Sequence, residues 1–370
     1  LRILHTEASL GWGGQEIRLL TEAQIFIKHG HQVFLVADVK SQIAKKASTY
    51  GVKVISINLN KKRLNNLFAL RKVIEDIKPD VINCHSSTDH WLSAIARLTL
   101  KTKPAIVRTR HISTHVHRNK PTKWLYNIGT DAIMTTGQSI RTQLIDDNFV
   151  NEKNIFSVPT GIDTDRFCPG DKIKQRALLG LNSDHFVFGI IATLRSWKGH
   201  SDLIAAFNLL ENPNVTLVIV GDGPQMENCQ KLATASTHSQ HIKIVGEKYD
   251  VVPYLQAFDC FVLPSYANEG IPQALLQAMS VGIPIISCPI GGIPEAVEGY
   301  EQAILVATQN PKELADAMAK ELVKDRKTAS QERRTLYSLE RMYQSVLGVF
   351  NLASEKVVNS KQNLLGLNSH

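Results

Sequence analysis

Four loops of this chain carry residue types suited to holding an anion and a polyhydroxylated group. In LRSWKGH (194–200), Arg195 and Lys198 stand where a strand-like run ends and a helical one begins. Two cations beside a helix N-terminus suit a diphosphate. Arginine grips two oxygens at once and lysine adds a point charge. In GDGP (221–224), Gly221 and Gly223 form a flexible loop ahead of a proline at a helix start. In NEGIPQALLQAMSVGIP (268–284), Glu269 precedes Gly270, Ile271 and Pro272, and Gln277 follows about two helical turns later on the same face. A carboxylate at a helix start accepts hydrogen bonds from sugar hydroxyls, and a second polar side chain deeper down suits another hydroxyl pair, such as that of a ribose. In GWGG (11–14), Gly13 and Gly14 let backbone approach a ligand beside a helix N-terminus. The spacing is not G-x-G-x-x-G, which argues against a nicotinamide cofactor. Taken singly, each loop also reads as an ordinary turn or cap.

These loops need elements to carry them, and the sequence supplies an alternation of short apolar runs with amphipathic stretches. Strands are expected at 2–6, 31–38, 52–57, 80–84, 105–108 and 132–135, with a helix over 15–29 and helical periodicity at Leu64, Leu67, Phe68, Ile74 and Ile77. The segment VPTGIDTDRFCPG (158–170) breaks the pattern with prolines and glycines. Strands resume at 186–193, 215–221, 242–246, 260–265 and 283–288; helices follow from about 311 to 355, and the polar tail from 357 is expected to fray. Repeated strand–helix–strand units mean parallel sheets with helices on both faces. In such sheets ligands bind at the carboxyl ends of the strands, where the four loops fall. The fold class is therefore α/β with two Rossmann-like domains, their parallel sheets facing across a cleft. The first spans 1–165 and the second 166–345, with a last helix (346–370) able to return to the first.

A chain of 370 residues is long enough for two such domains. Its net charge of +8 is uneven: residues 1–165 hold 23 Lys and Arg against 14 Asp and Glu, so the positive surplus lies in the first half. Part of it clusters in RTRHISTHVHRNKPTKW (108–124), as Arg108, Arg110, Arg118, Lys120 and Lys123 with Trp124, and part in the KKR that opens the stretch 61–77. This suggests a surface that meets an anionic glycolipid or the inner membrane leaflet, each basic residue contributing on the order of 1 kcal/mol; a solvated basic surface is the plain alternative. Nucleic acid is disfavoured, since no recognised binding motif appears. The five cysteines form no C-x-x-C pair, and RILHTEA reads as a strand rather than a signal peptide. With no apolar run near the ~20 residues that span a bilayer, a cytoplasmic location is expected, with the inner membrane face as a peripheral site. Asp163-Thr-Asp165 imitates a metal-binding D-x-D but sits in the turn-rich crossing segment. His111, His115 and His117 imitate a zinc set that no cysteine or carboxylate of suitable spacing completes. No metal and no cofactor is expected.

Together the motifs resemble family 4 of the retaining glycosyltransferases, with the GT-B fold. They are Gly13-Gly14, P-x-G-I-D-x-x-x-F-x-P from Pro159 to Pro169, R-x-x-K-G at 195–199, and E-G-x-P-x-x-x-x-x-A-M-x-x-G-x-P at 269–284, in the family's order over most of the chain. The resemblance implies that Arg195 and Lys198 grip the donor diphosphate and that Glu269 contacts the transferred sugar. It also implies that Gly14 lies near donor and acceptor, and that His111, in TRHIS, lines the sugar pocket. Where the family has a second glutamate holding the nucleotide ribose, this chain has Gln277, which leaves donor affinity open. The implied first domain binds acceptor and the second a nucleotide-sugar donor, UDP- or GDP-linked. The implied reaction is metal-independent transfer of a hexose-type sugar to a glycolipid or polysaccharide, as in lipopolysaccharide or cell-surface glycan assembly. A non-catalytic nucleotide-sugar-binding protein, which Gln277 would favour, and a related GT-B enzyme such as a sugar-nucleotide epimerase are the alternatives.

Overall fold

The computed structural model describes residues 1–364 apart from 112, 113, 115, 148, 149, 268 and 325–330. The chain forms two compact units, residues 1–161 joined by the chain from 339 onward, and residues 162–338. In the first unit the strands are β1 (Arg2–Thr6), β2 (Gln32–Ala37), β3 (Lys53–Ser56), β4 (Val81–Cys84), β5 (Ala105–Arg110), β6 (Ala132–Thr135) and β7 (Ile155–Ser157). Their spatial order is β3-β2-β1-β4-β5-β6-β7, and every pairing is parallel. In the second unit β8 (Phe186–Ile191), β9 (Val215–Val220), β10 (Ile242–Gly246), β11 (Cys260–Leu263), β12 (Ile285–Ser287) and β13 (Ala303–Leu305) take the order β10-β9-β8-β11-β12-β13, again all parallel. Both orders reverse beside their first strand, at β1/β4 and at β8/β11. This is the Rossmann arrangement, with the reversal marking a crevice at the carboxyl ends.

Crossover helices cover both faces of each sheet, which is why central strands such as AIVRTR, VTLVIV and CFVL are buried from end to end. Alternate residues still serve different layers. Ile3, Val81, Val107 and Met134 pack with Leu19, Leu20 and Phe26 on one face, while Leu4, Ile82, Ile106 and Ile133 pack with Ile74, Leu92 and Leu125 on the other. Two strands escape sequence reading: β7 and β13, each three residues long and at a sheet edge, too short to show a period.

The end of the chain also departs from expectation. The helix Leu339–Leu364 continues through the tail expected to fray, and it belongs to the first unit. Its apolar face explains the continuity. Tyr343 sets its ring edge-on to Phe26 at 4.8 Å, and Phe350 lies 5.5 Å from the same ring. Further along, Lys356 Nζ donates to the Asp131 carbonyl oxygen (3.0 Å) and to Asn154 Oδ1 (2.6 Å). Phe350 is fully buried. Phe350→Ala is expected to lower the unfolding free energy by about 3–5 kcal/mol, measured by urea denaturation.

Candidate active site

In the second unit, β8 runs into a loop whose shape is set by one glycine. Arg195 precedes a 3-10 turn, Ser196–Lys198, and Gly199 then starts the helix His200–Asn208. Gly199 has φ +75°, and a Cβ there would lie 2.2 Å from the Pro264 carbonyl oxygen. The loop can therefore lie flat against the segment that follows β11, where Tyr266 N–H donates to the Trp197 carbonyl oxygen (2.9 Å). That contact brings Lys198 to Glu269: Nζ and Oε1 are 2.5 Å apart, with Glu269 buried and Lys198 mostly so. Arg195 stays exposed, its guanidinium 5.4 Å from the Trp197 ring. His200 is buried behind this loop; burial, with Lys198 adding to it, pushes its imidazole down to about 4, so it is neutral at physiological pH.

The structure brings Lys198 and Glu269 together across the β8/β11 reversal, with Arg195 exposed on the same loop. The loop holding Gly221 and Gly223 packs on the same segment, with Leu194 N–H donating to the Asp222 carbonyl oxygen and Gln225 N–H donating back to Leu194, both at 2.9 Å. Gly270 is buried and its carbonyl accepts from Gly292 N–H (3.0 Å). Ile271, expected at the donor, has its side chain in the core. Its neighbour Pro272 is the N-cap of the helix Gln273–Val281. Because that helix begins only at Gln273, Glu269 lies in the loop ahead of it and shares no helical face with Gln277. This corrects the expected geometry. Gln277 is half-buried, and its side chain makes no hydrogen bond among the described residues. Sequence reading passed over Gly291-Gly292, the turn after β12. Gly291 has φ +59°, and a Cβ there would sit 2.1 Å from the Glu269 carbonyl oxygen, so this turn supports the glutamate from beneath. The signal was available: Gly-Gly-x-Pro directly after a strand, in PIGGIPE (289–295).

In the first unit, Gly13 is the extended N-cap and Gly14 the first residue of the helix Gly14–Lys28. The loop before them is tied down by Glu7, which the sequence did not single out. Glu7 is buried at the end of β1 and accepts from Ser9 N–H (2.8 Å), Gln15 Nε2 (2.5 Å) and Ser86 Oγ. One strand over, Asp89 accepts from Thr6 Oγ1 (2.7 Å) and His85 N–H (3.1 Å). His111 is half-buried at the end of β5, 3.0 Å from His85.

The basic cluster divides. Arg108 and Arg110 are only 6% and 9% exposed, which overturns their expected place on a surface. They lie on a strand covered on both faces, where Arg108 donates to the Cys84 carbonyl oxygen (3.1 Å) and Arg110 to Tyr126 Oη (3.1 Å) and the Thr114 carbonyl oxygen (2.6 Å). Arg118, Lys120 and Lys123 are exposed, Arg118 being paired with Asp147. Trp124 is half-buried and stacks on Trp91. His115 lies outside the described residues. Asp163 accepts from the Asp165 and Arg166 N–H groups, an Asx turn as expected. Among the described residues no cluster of metal-ligand type is present.

Two family models match consecutive parts of the chain: Glycosyltransferase Family 4 over residues 12–166 and Glycosyl transferases group 1 over residues 171–336. The chain belongs to these glycosyltransferases. A curated member, the UDP-Gal:alpha-D-GlcNAc-diphosphoundecaprenol alpha-1,3-galactosyltransferase of Escherichia coli, is 30% identical over 62% of this chain and 63% of its own length. The chain spans about half to two thirds of the length of the curated glycosyltransferases it matches. Among solved structures, a glycosyltransferase from Rickettsia africae superposes with a TM-score of 0.78 at 20% identity, covering 100% of this chain and 99% of that one. Anabaena HepE, solved in complex with UDP, superposes with a TM-score of 0.77 at 18% identity, covering 98% and 100%. These likenesses show the GT-B fold.

The buried acids of the first unit carry a pH signature. Burial pushes the Asp89 carboxyl up to about 7, with Glu7 adding to the effect. A carboxyl raised in the folded state destabilises the fold once the unfolded chain has ionised. Asp89→Asn, which keeps both accepted hydrogen bonds, is therefore expected to gain stability relative to the parent as pH rises from about 4 to 7, then to level off. Melting temperatures of both proteins across that range measure it; a difference independent of pH would contradict the assignment.

Proposed function

We propose that this chain transfers a hexose-type sugar from a UDP- or GDP-linked donor to a lipid-linked or polysaccharide acceptor, with retention of anomeric configuration and without a metal. The observation that carries this reading is the Lys198–Glu269 pair at the carboxyl edge of the second sheet, across its reversal point, with Arg195 exposed on the same loop. Breaking the sugar–phosphate bond leaves charge on the departing diphosphate. Preorganised cations stabilise that charge most where it develops. Lys198 and Arg195 take this role, and Glu269 accepts hydrogen bonds from the sugar hydroxyls. The departing phosphate takes the acceptor's proton on the same face of the sugar, so no protein base is required.

The acceptor reading is supported by the basic first half and by the E. coli relative, whose named acceptor is a diphosphoundecaprenol-linked sugar. An exposed face of the first unit suits an anionic lipid surface. Leu64 and Phe68 on the helix Leu64–Ile77 are 71% and 62% exposed beside Lys61, Lys62 and Arg63. Lys62 also lies over the Trp91 ring, at 5.1 Å. No described helix is long and apolar enough to cross a membrane. Assembly of lipopolysaccharide or another surface glycan, at the inner membrane face, fits this acceptor class.

Arg195→Ala is expected to remove most transfer while changing stability by no more than about 0.5 kcal/mol, since the side chain is exposed. Lys198→Ala is expected to remove transfer and also to destabilise the fold by on the order of 3 kcal/mol, because it leaves the buried Glu269 charge unpaired. Unchanged turnover in both variants would remove this donor site from consideration. The donor base is read from a thermal-shift series with UDP, GDP and their hexose conjugates. A ligand at one hundred times its Kd is expected to stabilise the fold by about 2.7 kcal/mol.

A further inference from the structure

The carboxyl edge of the first sheet holds a line of three histidines. His5 lies on β1, His85 follows β4 and His111 follows β5, and these three strands are neighbours. His5 Nδ1 is 3.0 Å from His85 Nε2, and His85 Nδ1 is 3.0 Å from His111 Nε2. The rings follow one another at 5.2 Å and 5.3 Å. His5 and His85 are buried, and half-buried His111 ends the line.

A neutral imidazole has one donor nitrogen and one acceptor nitrogen, so the three tautomers are not independent. In one arrangement His5 donates from Nδ1 to His85 Nε2. His85 then donates from Nδ1 to His111 Nε2, and His111 carries its proton on Nδ1. In the reverse arrangement His111 donates from Nε2 and every N–H points inward, ending in an N–H at His5 Nε2. That nitrogen is buried and has no hydrogen-bond partner among the described residues. A buried orphan N–H is rarer than an unfilled acceptor position. The first arrangement avoids it. All three rings are held neutral. Burial pushes His5 down to about 3. Burial and neighbouring charges, Arg18 and Arg108 among them, hold His85 and His111 well below the usual histidine range.

We propose that His5 and His85 are positioning residues that lock His111 in its Nδ1–H form, so that His111 presents a hydrogen-bond donor, and not a base, to an oxygen bound at this edge. The tautomer follows from the first unit alone. Its use against a sugar oxygen rests on the transferase reading above.

The test is a long-range ¹H–¹⁵N correlation spectrum of the full chain labelled at histidine, without ligand, in which protonated and bare ring nitrogens resonate apart. His111 is expected to show a bare Nε2 and a protonated Nδ1 between about pH 6 and 8, its peaks assigned by their loss in His111→Gln. A bare Nδ1, or an imidazolium in that range, would overturn the proposal. His85→Phe is expected to release His111 into a mixture of tautomers and to lower kcat on the order of tenfold. His85→Gln, which donates and accepts at once, is expected to recover most of that loss. A His85→Phe protein with the parent spectrum, or a His85→Gln protein as slow as His85→Phe, would refute the positioning role. If His85→Phe does not fold, the parent spectrum still decides. If no transfer is detected with UDP- or GDP-hexoses, the same spectrum judges the tautomer while the transferase reading fails separately.

Discussion

Two parallel strands in one sheet can be joined only by a crossover, usually a helix, that carries the chain back to the starting edge. Every pairing in both sheets of this protein is parallel, so every strand of a sheet ends at the same edge and every outgoing loop is gathered there. Where the strand order reverses, the crossovers depart to opposite faces and no helix roofs the gap. Residues far apart in sequence thus become neighbours without any long-range contact selecting them individually. Lys198 and Glu269, 71 positions apart, are one such pair. His5 and His85, 80 positions apart, are another.

The two edges treat charge differently. In the second unit a buried carboxylate is balanced by a lysine that has lost most of its water, while the neighbouring arginine keeps its hydration. Desolvating an ion pair offsets much of the attraction it gains. Such a pair is therefore poor as a source of stability and well suited to exchange partners when an anion and a hydroxylated group arrive together. In the first unit the acids Glu7 and Asp89 are buried among hydroxyl and N–H donors and drift toward the neutral form. The first edge is thus built from hydrogen-bond geometry and the second from mobile charge.

Sequence reading recovered the parts of this architecture that repeat locally. Strands such as VTLVIV announce themselves by apolar run length, and the R-x-x-K-G and E-G-x-P loops by glycine and proline placed after such runs. The three-residue edge strands β7 and β13 were invisible because a period needs more residues than they have. Arg108 and Arg110 misled because a charged residue on a strand is ordinarily a solvent-facing one, and nothing local reveals that a second helix layer covers that face. The histidine line was hidden for a different cause. His5, His85 and His111 are far apart in sequence, and only the adjacency β1-β4-β5 aligns them. The relation between Glu269 and Gln277 was misjudged because a proline cap starts the helix four residues later than the glutamate.

The final helix alters the order in which the molecule can be completed as it is synthesised. The second unit is a continuous insertion whose ends meet, since Ile162 N–H donates to the Tyr337 carbonyl oxygen (2.7 Å) and Ile162 bridges Ser338. All its strands precede the helix Leu339–Leu364 in the chain. The first unit must wait, because one face of its sheet stays open until Tyr343 and Phe350 arrive against Phe26. At about 5–20 residues per second, the unit translated first spends many seconds with bare apolar surface and is finished last. Nascent-chain quality control has its longest exposure window on that face, and termination at residue 338 leaves a complete second unit tethered to an uncapped first one.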